Sequence, residues 1–310
     1  MLFVGADLGG TKTTAGLVTS AGTLLRSFTR PTPAAHGPTA VVDTVVRLVR
    51  EAMAASEEAV TGVGVGAAGV VDPVSGTVLS ATDALPGWAG TPLRMLLTER
   101  LGVPVAVDND VYAHAMGEAW RGAGAGLSRV LVAAAGTGVG GCLVLDGEPY
   151  RGARHVAGSV GHVPAAEADG LPCPCGGSGH LETVASGPGL HALYRRRGGD
   201  PAVGDARQVC ARAAAGTDAV AAAAVDVAAS ALGRALGGVA NLYDPDVVIV
   251  GGGLAGAGQR WWDGLVGAVR AELMPPLVGL PVLPAGLGAT AAVIGAARAA
   301  MLAYEGKTTR

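Results

Sequence analysis

The chain has 310 residues, enough for two domains and a large buried core. Half of them are hydrophobic but only 4% are aromatic, so the core must be built from Ala, Val and Leu, and a net charge of −3 offers no basic surface for nucleic acid. The 51 glycines follow no period, which excludes a collagen-like chain. The opening MLFVGADLGG has neither a basic leader nor a long apolar segment, and no run reaches the roughly 18 apolar residues that a membrane helix needs. A cytoplasmic protein with no nucleic-acid or membrane partner is expected. In that compartment clustered cysteines are more often metal ligands than disulfides.

In chain order, LFVGAD reads as a short apolar strand, LGGTKT as a glycine turn, TAGLVT as a second strand and SAGTLL as a hairpin. Residues 38–60 read as a helix, with Val42, Val45, Val46 and Val49 at helical spacing. VTGVGVGAAGVVD returns to strand and a polar turn follows it. In TPLRMLLTERLG, Thr91 is placed as a helix N-cap and Pro92 as the first helical residue. VPVAVDND is a strand ending in acids, and VYAHAMGEAWRG is a helix. RVLVAAAGTGVGGCLVLDG is a strand, a glycine turn and a second strand. Residues 186–241 are mainly helical, PDVVIVGGGLAG is a buried strand running into a glycine turn, and two helical runs finish the chain. Strand hairpins joined to helices near residues 1 and 129 suggest two α/β halves on a similar plan. No tandem repeat is visible.

The glycine turns carry the first chemical signal. GADLGGTKTT is not a P-loop, because Thr11 separates Gly10 from Lys12 and the turn leads to a strand rather than a helix. Asp7 is suited to hold a hydrated Mg²⁺ while the N–H groups of Gly9, Gly10 and Thr11 face a phosphate, with Lys12 beside them. GTGVGG repeats the pattern, with Thr137 and Gly138 in the turn and a strand after it. Gly251, Gly252 and Gly253 end a third strand. Any one of these is a plain β-turn; three together point to nucleotide phosphates.

VDND places Asp108, Asn109 and Asp110 between a strand and a helix. Asp108 or Asp110 is suited to cap that helix. Asp110 is also suited to accept the proton of a hydroxyl attacking a γ-phosphate, because phosphoryl transfer needs little beyond positioning, charge neutralisation and one such carboxylate. His162, Cys173, Cys175 and His180 are spaced H-x10-C-x-C-x4-H. Four N and S donors on short loops suit a closed, tetrahedral, structural Zn²⁺ site. A metal holding one ring nitrogen of His162 would orient the other toward the substrate. Cys142, Cys210 and Trp88 read as core residues.

DLGGTKT, LPGWAGTPLRMLL, PVAVDNDVYAHAMGE, GTGVGGCLVLDG, the segment from GHVP to CPCGGSGHLETVASG, and NLYDPDVVIVGGG follow one another as in the ROK family of sugar kinases and regulators, which the chain resembles over nearly its whole length. The resemblance implies an α/β, two-lobed actin-like ATPase fold (ribonuclease H-like), each lobe a mixed sheet flanked by helices, clamping ATP between paired phosphate hairpins. Residues 1–112 with about 293–310 would form the small lobe, and 113–292 the large lobe with the zinc loop 162–180. The resemblance implies Asp110 as general base, Asn109, His162 and Glu182 as sugar contacts, Gly66 and Thr82 in segments lining the sugar pocket, and a homodimer. It also implies ATP, Mg²⁺ and Zn²⁺ as cofactors.

His180 replaces the family's last cysteine ligand, which bears on the zinc site. Three departures bear on the substrate: Ser159 stands where a sugar-contacting Glu is usual, and Ala84 and Tyr112 replace frequent asparagines. The expected activity is ATP-dependent phosphorylation of a hexose at its 6-hydroxyl. An N-acetylhexosamine kinase (of N-acetylglucosamine or N-acetylmannosamine) and a non-catalytic sugar sensor or regulator are the alternatives. The family's repressors carry a DNA-binding domain of about 60–80 residues before the kinase-like body, whereas DLGGTKT begins here at residue 7.

Overall fold

A computed structural model describes residues 1–82 and 84–307. The chain begins with β1 (Leu2–Leu8), β2 (Lys12–Thr19), β3 (Leu24–Pro31), α1 (Gly37–Met53), β4 (Val60–Ala67), β5 (Val70–Asp72) and β6 (Thr77–Ser80). It continues through α2 (Leu93–Leu101), β7 (Val105–Asn109), α3 (Asp110–Arg121), β8 (Arg129–Ala135), β9 (Val139–Leu145) and β10 (Glu148–Pro149). Then come α4 (Glu182–Ala185), α5 (Gly187–Arg196), α6 (Ala206–Ala214), α7 (Ala219–Tyr243) and β11 (Val247–Gly251). The last elements are α8 (Gln259–Glu272), β12 (Val282–Pro284) and α9 (Ala291–Tyr304).

Two compact units form. The first comprises residues 1–126, 144–157 and 286–310, and the second comprises 127–143 and 158–285. These divisions lie beyond the expected 112 and before the expected 293 because α3 packs along α9, both in the first unit. In that unit the sheet runs β3-β2-β1-β4-β7, antiparallel through β1 and parallel from β1 to β7. Alternate residues of β1 serve opposite faces. Val4, Ala6 and Leu8 join the valines of α1 in one cluster, while Phe3 joins Val293 and Ala297 of α9 in another. Gly5 and Gly64 let α9 approach the sheet, since a Cβ there would overlap the carbonyls of Val293 and Ala296. Helices thus cover both faces of a mixed sheet.

In the second unit β11 lies parallel to β8 and β12 parallel to β11, with β9 on the other side of β8. The sheet's β10 end clusters with the first unit. The core here gathers Leu190, Tyr194, Leu232, Val248, Trp261 and Leu265. Helix α7 is long and apolar enough to span a bilayer by length and composition, but half of its most apolar window is buried within the protein. Its polar side is ion-paired, Asp226 with Arg260 and Arg234 with Glu167.

Several local expectations are corrected. The helix expected over 38–60 ends at Met53, since residues 54–59 form a turn before β4. VTGVGVGAAGVVD is two strands, split at Gly69, whose φ of 104° suits only glycine. Thr91 does not cap α2: Pro92 holds that position, Thr91 is buried, and its carbonyl accepts from Val78 N–H at 3.0 Å and Leu93 N–H at 2.9 Å. Cys142, Cys210 and Trp88 are buried, and the Trp88 indole donates to Ala68 O at 3.1 Å.

Candidate active site

In the first unit, sheet register brings the acids together. Asp7 on β1 lies opposite Gly66 on β4, and Gly66 lies opposite Asp108 on β7. Helix α3 starts directly after β7. A Cβ on Gly66 would meet Ala113 Cβ at 2.7 Å and Asp110 Cα at 3.2 Å. The glycine therefore admits the start of α3 to the sheet rather than presenting a side chain to a ligand. Thr82 stands in the turn after β6, where its carbonyl accepts from Leu85 N–H at 3.2 Å.

Asn109, not either aspartate, caps α3. Its Oδ1 accepts from Val111 N–H at 2.8 Å and Tyr112 N–H at 3.2 Å. Its Nδ2 donates to Gly69 O at 2.8 Å and Asp110 Oδ1 at 3.0 Å. Asp110 Oδ1 also accepts from Val111 N–H at 2.9 Å. These donors gather on one oxygen and leave Oδ2 as the oxygen suited to take a proton. Desolvation raises the Asp110 pKa above the usual carboxylate range, against those hydrogen bonds. Asp7 is raised to about 7, first by burial and then by the charge of Asp110, with Lys12 opposing. Two carboxylates short of positive charge form a donor set that fits a hard divalent cation.

Asp108 has a separate task. Only 4% exposed, it takes Arg151 Nη2 at 2.6 Å and Nε at 3.0 Å. Arg151 was not legible in the sequence, because a lone arginine 43 positions away carries no local signal. The same is true of Tyr112, whose hydroxyl donates to Ala157 O at 2.7 Å.

The first glycine turn is closed by Gly9 N–H donating to Lys12 O at 3.1 Å, so that group is spent within the turn rather than offered to a phosphate. Thr32 braces it, its hydroxyl donating to Gly9 O at 2.7 Å and its N–H to Thr11 O at 3.0 Å. Thr11 and Lys12 are exposed, and Gly10 is partly so.

In the second unit two of the glycine turns adjoin. Gly251 pairs with Ala134 across the parallel strands, and a Cβ on Gly136 would lie 3.8 Å from Gly253 N. Gly252 has φ 85° and packs on Ala135. Gly136 N–H donates to Gly138 O at 2.8 Å, leaving Thr137 exposed at the tip. Glu182, first residue of α4, reaches this turn: its Oε2 accepts from Val139 N–H at 2.8 Å.

The second unit also assembles the Cys/His segment. His162 ends a 3-10 turn over Val160–His162. Pro164 pairs with His180 and Pro172 with Ser178 in short antiparallel bridges, which fold the loop back on itself. One donor atom from each of His162, Cys173, Cys175 and His180 lies within 4.8 Å of all the others. His162 Nδ1 is 3.7 Å from Cys173 Sγ, and His180 Nδ1 is 3.2 Å from Cys175 Sγ. Two thiols and two imidazoles suit zinc, and bond lengths of about 2.0–2.3 Å put tetrahedral ligands at separations of this order. With Nδ1 turned inward, Nε2 of His162 faces away from the cluster.

Residues 3–303 match the model of the ROK family. The chain belongs to the ROK family. Glucokinase of Halalkalibacterium halodurans is 32% identical to this ROK protein over 94% of the chain and 93% of its own length. A ROK hexokinase structure from Thermus thermophilus superposes with a TM-score of 0.85 at 33% identity, covering 99% of this chain and all of that one. A ROK glucokinase from Streptomyces griseus, solved with glucose and AMPPNP, gives 0.84 at 34% identity over 97% of this chain and 99% of its own. The expected fold class, mixed sheets flanked by helices as in the actin-like ATPases, holds for this ROK chain.

Proposed function

We propose that this protein transfers the terminal phosphoryl group of ATP to a hexose, at the 6-hydroxyl, with Asp110 as general base. The observation that carries the reading is the asymmetric setting of Asp110. One oxygen holds the side chain in place through Asn109 and Val111, and burial raises its basicity above that of an ordinary carboxylate. As the sugar oxygen bonds to the γ-phosphorus, its proton passes to Asp110 Oδ2 and ADP leaves. Membership of a family with glucokinases at 32–34% identity supports the same reaction.

Asp7, Lys12 and the N–H groups of Gly10 and Thr11 would serve the phosphates, as would Thr137, Gly138 and the Gly251–Gly253 turn. Mg²⁺ held by Asp7 would offset the charge on the phosphates. His162 through Nε2 and Glu182 through Oε1 would contact sugar hydroxyls. His162, Cys173, Cys175 and His180 would hold Zn²⁺, fixing the loop that carries both contacts. Asn109, with Oδ1 and Nδ2 engaged, acts chiefly by aligning Asp110. We also place the enzyme in the cytoplasm as a homodimer. Leu242, Met274 and Val278 support the dimer: they are 78%, 57% and 65% exposed, near where Asn241 ties the end of α7 to Glu272 and Met274.

The test is an ADP-release assay over glucose, mannose, fructose, allose, N-acetylglucosamine and N-acetylmannosamine. Turnover with a neutral hexose is expected. A preference for the N-acetylated sugars would move the assignment to a hexosamine kinase, and sugar binding without ADP release would make the protein a sensor.

A further inference from the structure

We infer that Glu182 couples sugar binding to nucleotide binding through the Gly136–Val139 turn. The inference rests on the proposed roles of Glu182 toward sugar and of this turn toward phosphate.

The turn is braced by the segments that carry the proposed sugar contacts. Glu182 Oε2 accepts the Val139 N–H at 2.8 Å. It lies so close over Gly138 that a Cβ there would meet it at 2.6 Å. Gly161, the neighbour of His162, packs on Val139 O too tightly for any side chain. Gly187, at the start of α5, donates its N–H to Gly136 O at 2.7 Å. The backbone that would face a phosphate therefore leans on α4, α5 and the turn ending at His162.

A carboxylate has two oxygens, and here one is committed to the turn. A sugar hydroxyl donating to Oε1 would restrict the Glu182 side chain and, through Oε2, the Val139 N–H and the turn before it. A nucleotide arriving next would meet a turn already ordered and lose less conformational freedom on binding. The coupling is reciprocal, so ATP raises the affinity for sugar by the same factor. Glu182 is in this respect a positioning residue for the nucleotide as well as a sugar contact.

The test is calorimetric titration of AMPPNP with Mg²⁺, with and without saturating glucose, on the wild type, Glu182→Gln and Gly138→Ala. Glu182→Gln weakens the charge-assisted bond to Val139 N–H. Gly138→Ala pushes the carboxylate off that group while leaving it in the chain, so it keeps the test alive if the first variant does not fold. Glucose is expected to tighten AMPPNP binding about fivefold or more in the wild type, at the low end of typical coupling factors. In both variants the ratio should fall toward one. A wild-type ratio of one, or a variant that loses glucose affinity yet keeps the wild-type ratio, overturns the coupling. Unchanged glucose affinity in Glu182→Gln instead removes the sugar contact, and with it the reading on which the inference rests.

Discussion

The Asn109 side-chain amide donates to Asp110 Oδ1 at 3.0 Å while its own oxygen caps the helix that Asp110 begins. One residue thus aligns Asp110, the proposed base, and secures the helix bearing it. Asn109→Ala should cost about 1 kcal/mol of stability, a melting shift of a few degrees, and should also lower kcat. A lower melting temperature with unchanged kcat would mean that the amide serves the helix alone.

Asp110→Asn keeps the shape of the side chain and removes its basicity. A general base contributes about 10²–10⁴-fold, so kcat should fall by that order while glucose affinity stays near the wild-type value. Turnover within tenfold of wild type would refute the assignment.

Metal analysis of the purified protein should find about one zinc per chain, lost together with activity on prolonged chelation. Cys175→Ala should lower the zinc content, and so should His180→Ala if His180 is the fourth ligand. Full occupancy in His180→Ala would leave a three-ligand site and exclude that histidine.

Arg151→Ala would strand the Asp108 carboxylate, which is buried and takes two bonds from the guanidinium. Breaking such a pair from one side costs about 3–5 kcal/mol. Urea denaturation should show the loss. A double variant with Asp108→Asn should recover part of it, and no recovery would mean that Arg151 acts through its other contacts.

His114 makes stability depend on pH. Its Nε2 is buried without a hydrogen-bond partner among the described residues, and burial holds its pKa below the ordinary value, with Glu118 pulling the other way. The unfolded chain takes up a proton near pH 6.5, whereas the folded chain does so only at lower pH. The contribution is complete above about 6.5 and is lost as pH falls below it. Between pH 7.5 and 5.5 the wild type should lose more melting temperature than His114→Gln. Parallel curves for the two proteins would exclude His114 as the source.

Legibility followed the range of the interactions. LFVGAD, TAGLVT and the strands on either side of GTGVGG were readable because a period of two in apolar residues and a glycine turn are local facts. The Cys/His segment was readable for the same reason: all four donors lie within 19 consecutive residues, and the loop returns them to within 4.8 Å. Strand β12 was not, since the three residues after Pro281, the last of them Pro284, become a strand only beside β11. Thr91 had the right residue type for a cap, but its burial between β6 and α2 decided otherwise.

By itself the sequence determined most of the element types, the order of the glycine turns, the spacing of the four Cys and His residues and the presence of Asp110 at a strand-to-helix junction. All of these depend on dihedral preference, periodicity and side-chain chemistry over a few residues. Only the tertiary structure decided that Asn109 rather than an aspartate caps α3, that Arg151 neutralises Asp108, and that Glu182 holds the Val139 N–H. Each of these joins groups that the chain leaves free until sheet register and close helix packing bring them within hydrogen-bonding or van der Waals distance.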